Sequence, residues 1–150
     1  MQTLLRRTSL VLFGLVAVFF IWFGVTYASV SNMLWFHEAA VLESARVEVR
    51  PLYFALMNLI GGASTALGAL SLYVIALRLR RGAPGAGLAL VLATAVAVGM
   101  AAVTAEELAA ATGAPVSWHL MGIVLSVAVL ALALHTAATW TIRRREYASA

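Results

Sequence analysis

The chain has 150 residues, 63% of them hydrophobic and 11% charged, with a mean hydropathy of +0.98. A soluble domain is about half apolar and a quarter charged, so this composition excludes a water-soluble globule and assigns the chain to lipid. The ten basic residues are all Arg, there is no Cys, and the net charge is +4. Disulfides, thiolate metal sites and thiol catalysis are thereby excluded, and the spread of the charge along the chain carries no nucleic-acid signature.

Arg6 and Arg7 precede an apolar run over residues 10–30. At ~1.5 Å per residue it is long enough to cross the ~30 Å hydrocarbon core. A basic start, an apolar stretch and Thr26-Tyr27-Ala28 also resemble a cleaved signal peptide, but the run is long for a signal-peptide core and reads as a retained first span. Residues 31–50 form a mixed loop. Apolar residues recur there at Leu34, Val41, Leu42, Ala45 and Val49, and Glu43 can meet Arg46 one turn on, which predicts a short interfacial helix.

Pro51 suits the first turn of a helix and opens a second span over 51–77. Arg78, Arg80 and Arg81 with Gly82, Pro84 and Gly85 make a tight basic turn. A third span covers 86–107 and continues as helix to Gly113. Pro115 opens the fourth, 116–142, which Arg143, Arg144 and Arg145 are expected to end. The fold class is therefore all-α: a polytopic protein of four transmembrane helices in an up-down bundle, forming one transmembrane domain over 1–150. The halves show no repeat, which disfavours a transporter built from inverted repeats.

Basic residues in short loops are retained on the cytoplasmic side. Eight of the ten Arg lie at the N-terminus, in the 78–81 turn and in the C-terminal tail, leaving Arg46 and Arg50 opposite with five of the six Glu. The expectation is a multi-pass protein of the cell inner membrane with both termini cytoplasmic.

Small residues recur every fourth position along the third span at Gly85, Ala89, Ala93, Ala97, Ala101 and Ala105. Helices in lipid associate where small side chains let backbones approach, so this stripe is expected to pack, with a matching surface on the second span in Gly61, Gly62, Thr65, Ala66, Gly68 and Ala69. His135 is the one ionisable residue well inside a span. It is a candidate cofactor ligand, against the plainer reading of a neutral imidazole bonded to a carbonyl or to Ser71 at similar depth. On the outer side His37, Glu38 and His119, with Glu106 and Glu107, are candidates for a metal site, because imidazole and carboxylate together suit a transition metal; solvated loop charges are the alternative. Trp22, Trp35, Trp118, Trp140, Tyr27 and Tyr53 sit near span ends, as interfacial anchors do.

The segments Met33-Leu34-Trp35-Phe36-His37-Glu38-Ala39-Ala40 and Arg50-Pro51-Leu52-Tyr53-Phe54-Ala55-Leu56-Met57, followed by Gly61-Gly62, resemble small uncharacterised four-helix bacterial integral membrane proteins. The Arg-rich turn and Thr112-Gly113-Ala114-Pro115 are similar too. The resemblance implies membrane location and four spans, and it carries no activity and no named cofactor. The expected role is a non-catalytic accessory or structural subunit. It would contact the bilayer and pack by its helices against other membrane subunits, in a complex of the energy-transducing or photosynthetic type. The alternatives are a cofactor- or metal-binding redox protein using His135 or His37 with His119, and a small transporter.

Overall fold

A computed structural model describes the backbone of residues 2–148 and the side chains of residues 2–140. Among the described residues the protein is all-helical, 84% helix with no strands, and four helices are long and apolar enough to cross a membrane. They are α1 (Gln2–Ala28), α3 (Arg46–Val74), α4 (Ala86–Thr112) and α5 (His119–Ala148); α2 (Trp35–Glu38) is a single turn between the first two.

The helices overrun the apolar spans because nothing at their ends stops them. Gln, Leu and Arg are good helix formers, so α1 starts at Gln2, well before residue 10, and the α5 backbone continues through Arg143, Arg144 and Arg145 to Ala148. In place of one interfacial helix, the first loop holds α2 and a 3-10 turn at Glu43–Ala45 that runs directly into α3. Pro51 consequently lies inside α3, in its second turn, and does not open it. Pro115 likewise stays in the loop, and α5 begins at His119. The basic turn is built as expected: α3 ends in a π-helical turn, Ile75–Leu79, and Gly82 and Gly85 adopt φ of +73° and +78°, a left-handed conformation that glycine tolerates without a Cβ penalty.

In space the spans stand in the order α3, α1, α5, α4. One face of α1 packs on α3, another on α5, and α4 packs on α5, while the π-turn touches both α1 and α4 and closes the Arg-rich end. Phe13, Phe20, Leu79, Leu90 and Val98 lie in the shared core. The tightest contact is α1 on α3. A Cβ on Gly24 would lie 2.5 Å from the Gly61 carbonyl oxygen and the Thr65 nitrogen; one on Gly61 would lie 2.6 Å from the Gly24 carbonyl oxygen; one on Gly68 would lie 2.6 Å from that of Ala17. These are backbone-to-backbone approaches that only glycine permits, the close packing on which helix association in lipid depends.

The pairing expected of the small-residue stripes is thus corrected. The second span's stripe is divided: Gly61 and Gly68 are buried against α1, whereas Gly62, Ala66 and Ala69 are exposed. On α4 the buried face is Gly87, Leu90, Val91, Thr94 and Val98, turned toward α5. Gly85, Ala89 and Ala93 are exposed, and Ala97, Ala101 and Ala105 are partly buried. The stripe misled because alanine is equally at ease against lipid and against protein, while Thr94 has a polar group that favours the protein side. Enlarging Ala89 or Ala93 to Leu is accordingly expected to change the stability of the isolated protein by no more than about 0.5 kcal/mol, read as an unchanged thermal midpoint in detergent.

Candidate functional site

Two polar clusters stand out, one at each end of the bundle. At the end bearing the first loop, α3 supplies Tyr53, which is 7% exposed and shares a face with Met57, Gly61 and Gly68. That face meets α1, so Tyr53 is carried under the loop. Its hydroxyl accepts the Leu34 N–H at 3.1 Å and lies 3.0 Å from His37 Nδ1. The Tyr53 hydroxyl and Nδ1 thus share one hydrogen bond, whose direction follows the imidazole tautomer. The His37 ring also meets Tyr27 edge-on at 6.5 Å and Phe36 at 4.4 Å. Burial pushes its pKa below the ordinary histidine value, because desolvation disfavours the charged form.

Glu38 does not join His37. Its Oε1 accepts from Arg46 at 2.8 Å, and the same guanidinium donates to the Glu38 carbonyl at 3.2 Å. With both side chains more than a third exposed, the ion pair adds little energy; it pins the loop in position on the start of α3. Tyr53 and Arg46 together make a strap that ties residues 34–46 across the ends of α1 and α3.

His119 lies elsewhere, with its Nδ1 3.0 Å from the Ser117 hydroxyl and its ring stacked on Trp118 at 4.8 Å. Both line an open, largely apolar groove of about 470 Å³ on α5. Glu106 accepts the Trp118 N–H at 3.3 Å and closes the turn after α4. The expected metal group of His37, Glu38 and His119 is therefore corrected: each has a local partner of its own. Among the described residues no three His, Cys, Asp or Glu side chains come close enough to hold a metal ion.

At the Arg-rich end, His135 is 7% exposed and its Nδ1 has no hydrogen-bond partner among the described residues. It sits in a seam of Ala128, Ala131 and Ala138, each nearly or wholly buried. Its Nδ1 makes no hydrogen bond to Ser71 on α3. On α1, Ser9 is fully buried and its Oγ is also without a hydrogen-bond partner among the described residues. Arg6 lies within electrostatic reach of the ring and donates to the Arg80 carbonyl, joining the start of α1 to the basic turn. Sequence reasoning missed both Ser9 and the Tyr53–His37 bond. Their signal was spacing: Ser9, Phe13, Val16, Phe20 and Gly24 share one helical face, as do Tyr53, Met57, Gly61 and Gly68.

Trp22, Trp35, Trp118 and Trp140 are all well exposed, the disposition that interfacial anchoring requires. Comparison with known families, curated proteins and solved structures gives no match.

Proposed function

We propose that this protein is a non-catalytic membrane subunit that docks by its helices against a larger assembly of the energy-transducing or photosynthetic type, in a bacterial inner membrane. The observation that carries this reading is the uncovered side of α4. Gly85, Ala89 and Ala93 form a small-residue stripe that no other helix covers among the described residues, although such stripes are what helices in lipid use for close approach. The exposed Leu88, Leu92 and Val96 beside it give a partner helix further contact area. The loops joining the spans are short and devoted to strapping and capping, which favours a packing role over a reaction centre.

A photo-crosslinking residue placed at Ala93 in native membranes is expected to give a discrete protein adduct, while one at Leu15, on the exposed stripe of α1, gives lipid adducts. Lipid adducts alone at both positions would overturn the reading. The distribution of Arg supports placing the 78–81 turn in the cytoplasm. Since the chain has no Cys, introduced thiols test this without background. A Cys at Ser44 should react with an impermeant reagent from outside the cell and one at Ala83 only after lysis; the reverse pattern would invert the topology.

A further inference from the structure

A polar side chain on the lipid-facing surface of a span has no water to bond to, so it bonds to its own helix or meets another polar group across an interface. Three exposed hydroxyls take the first course: Thr104 donates to the Met100 carbonyl, Ser126 to that of Gly122 and Thr136 to that of Ala133. Asn58 on α3 does not. Its amide has two N–H donors and an oxygen that accepts twice, yet it is exposed and makes no hydrogen bond among the described residues. From Arg50 to Arg78 the helix and its π-turn run ~42 Å, so Asn58, ~12 Å from Arg50, lies inside a centred hydrocarbon core of ~30 Å. The face that carries it is flat. α3 stands at the edge of the row of helices and packs on α1 through Gly61 and Gly68. Away from that contact, Ala55, Asn58, Gly62, Ala66, Ala69 and Tyr73 are all exposed. Their spacing of three, four and four residues repeats after eleven, close to the period of the helix itself, so they hold one line for ~27 Å.

We infer that the protein is a homodimer in the membrane, joined along this face of α3 by a hydrogen-bonded pair of Asn58 amides. Every copy inserts with the same orientation, so a two-fold axis along the membrane normal runs the two α3 helices parallel and brings like residues to one depth. The amide is self-complementary. The N–H of each copy donates to the oxygen of the other, and neither side chain is left bare in lipid, whereas an unlike partner would have to supply its own donor and acceptor at that depth. Ala55, Gly62, Ala66 and Ala69 let the backbones approach closely enough for these short side chains to meet; an Ala at position 62 only completes the row. The α4 docking face stands at the other end of the row, so the two contacts are independent and an assembly would hold two copies of the chain.

Disulfide trapping tests this without background, because the chain has no Cys. With Ala55→Cys in native membranes, a mild oxidant is expected to give a covalent species of twice the 15.9 kDa chain mass. Leu56→Cys, the next residue but on another exposed face, should give none. Adding Asn58→Leu, similar in size but without the amide, should lower the yield from Ala55→Cys several-fold, and Asn58→Gln, which restores an amide, should recover most of it. Position 58 is exposed, so helix content by circular dichroism should stay unchanged, and a lost crosslink then reports a lost contact. No dimer from Ala55→Cys, as much dimer from Leu56→Cys, an adduct with a different protein, or a yield indifferent to Asn58→Leu would each overturn the proposal. A trapped dimer that comigrates with nothing else would uphold the α3 contact and count against the docked subunit, so the two readings fail separately.

Discussion

Substituting Gly61 with Ala is expected to destabilise the protein by about 1–3 kcal/mol, the usual cost of forcing extra volume into a packed contact. The new methyl would sit 2.6 Å from the Ala28 nitrogen and from the Gly24 carbonyl oxygen. Both are backbone atoms of a helix and cannot rotate aside, so α1 and α3 must separate along the contact that Gly24 and Gly68 also hold. Gly62 is the internal control. It is the next residue on the same helix, and a Cβ there meets nothing within 4 Å. Gly62→Ala should therefore be neutral, or stabilising by up to ~1 kcal/mol through helix propensity. Thermal or denaturant unfolding of the two variants side by side decides the matter; equal midpoints would mean that α1 does not approach α3 at this face.

Replacing Tyr53 with Phe should release the strap. The change keeps the ring and removes the one atom that satisfies both the Leu34 N–H and His37 Nδ1, and leaving such groups unpaired costs about 1–3 kcal/mol. Hydrogen exchange of amides 34–46 is expected to speed up accordingly, with little change in the middle of α3. The wild-type strap should also weaken in acid. Because burial lowers the His37 pKa in the folded protein, between that value and the ordinary ~6.5 the unfolded state binds more protons than the folded one. The contribution of neutral His37 is thus complete above about pH 6.5 and is lost as the pH falls through the lowered value. Because the shift comes from burial of the ring, the dependence should survive in the Glu38→Gln variant and vanish in His37→Gln, which removes the titrating group.

The four spans were legible in the sequence because crossing a bilayer requires length and apolarity, and both are written in the order of residues. Their neighbours were not. In water an amphipathic stripe marks the face that turns inward, but in lipid Leu, Val and Ala are equally acceptable on either face, so Ala89 and Ala93 looked like a contact and are exposed. Gly61 and Gly62 differ in nothing but phase, yet one is buried and the other open. Better markers of contact were the scarce residues that lipid treats differently: Ser9, Gly24, Tyr53, Thr94 and His135. Ser9, Tyr53, Thr94 and His135 are buried, and Gly24 sits against Gly61. The loop histidine was legible as a chemical group but not as the partner of Tyr53, because that pairing depends on how α1 and α3 cross.

The reading of this chain as a docked subunit meets its most direct test in gentle solubilisation of the native membrane, followed by a native gel and mass spectrometry of the band that holds it. The result expected is stoichiometric comigration with larger membrane proteins, lost when Ala89 and Ala93 are both changed to Leu although the isolated protein stays folded. Migration as the lone 15.9 kDa chain, or as a simple homo-oligomer, in several mild detergents would contradict it.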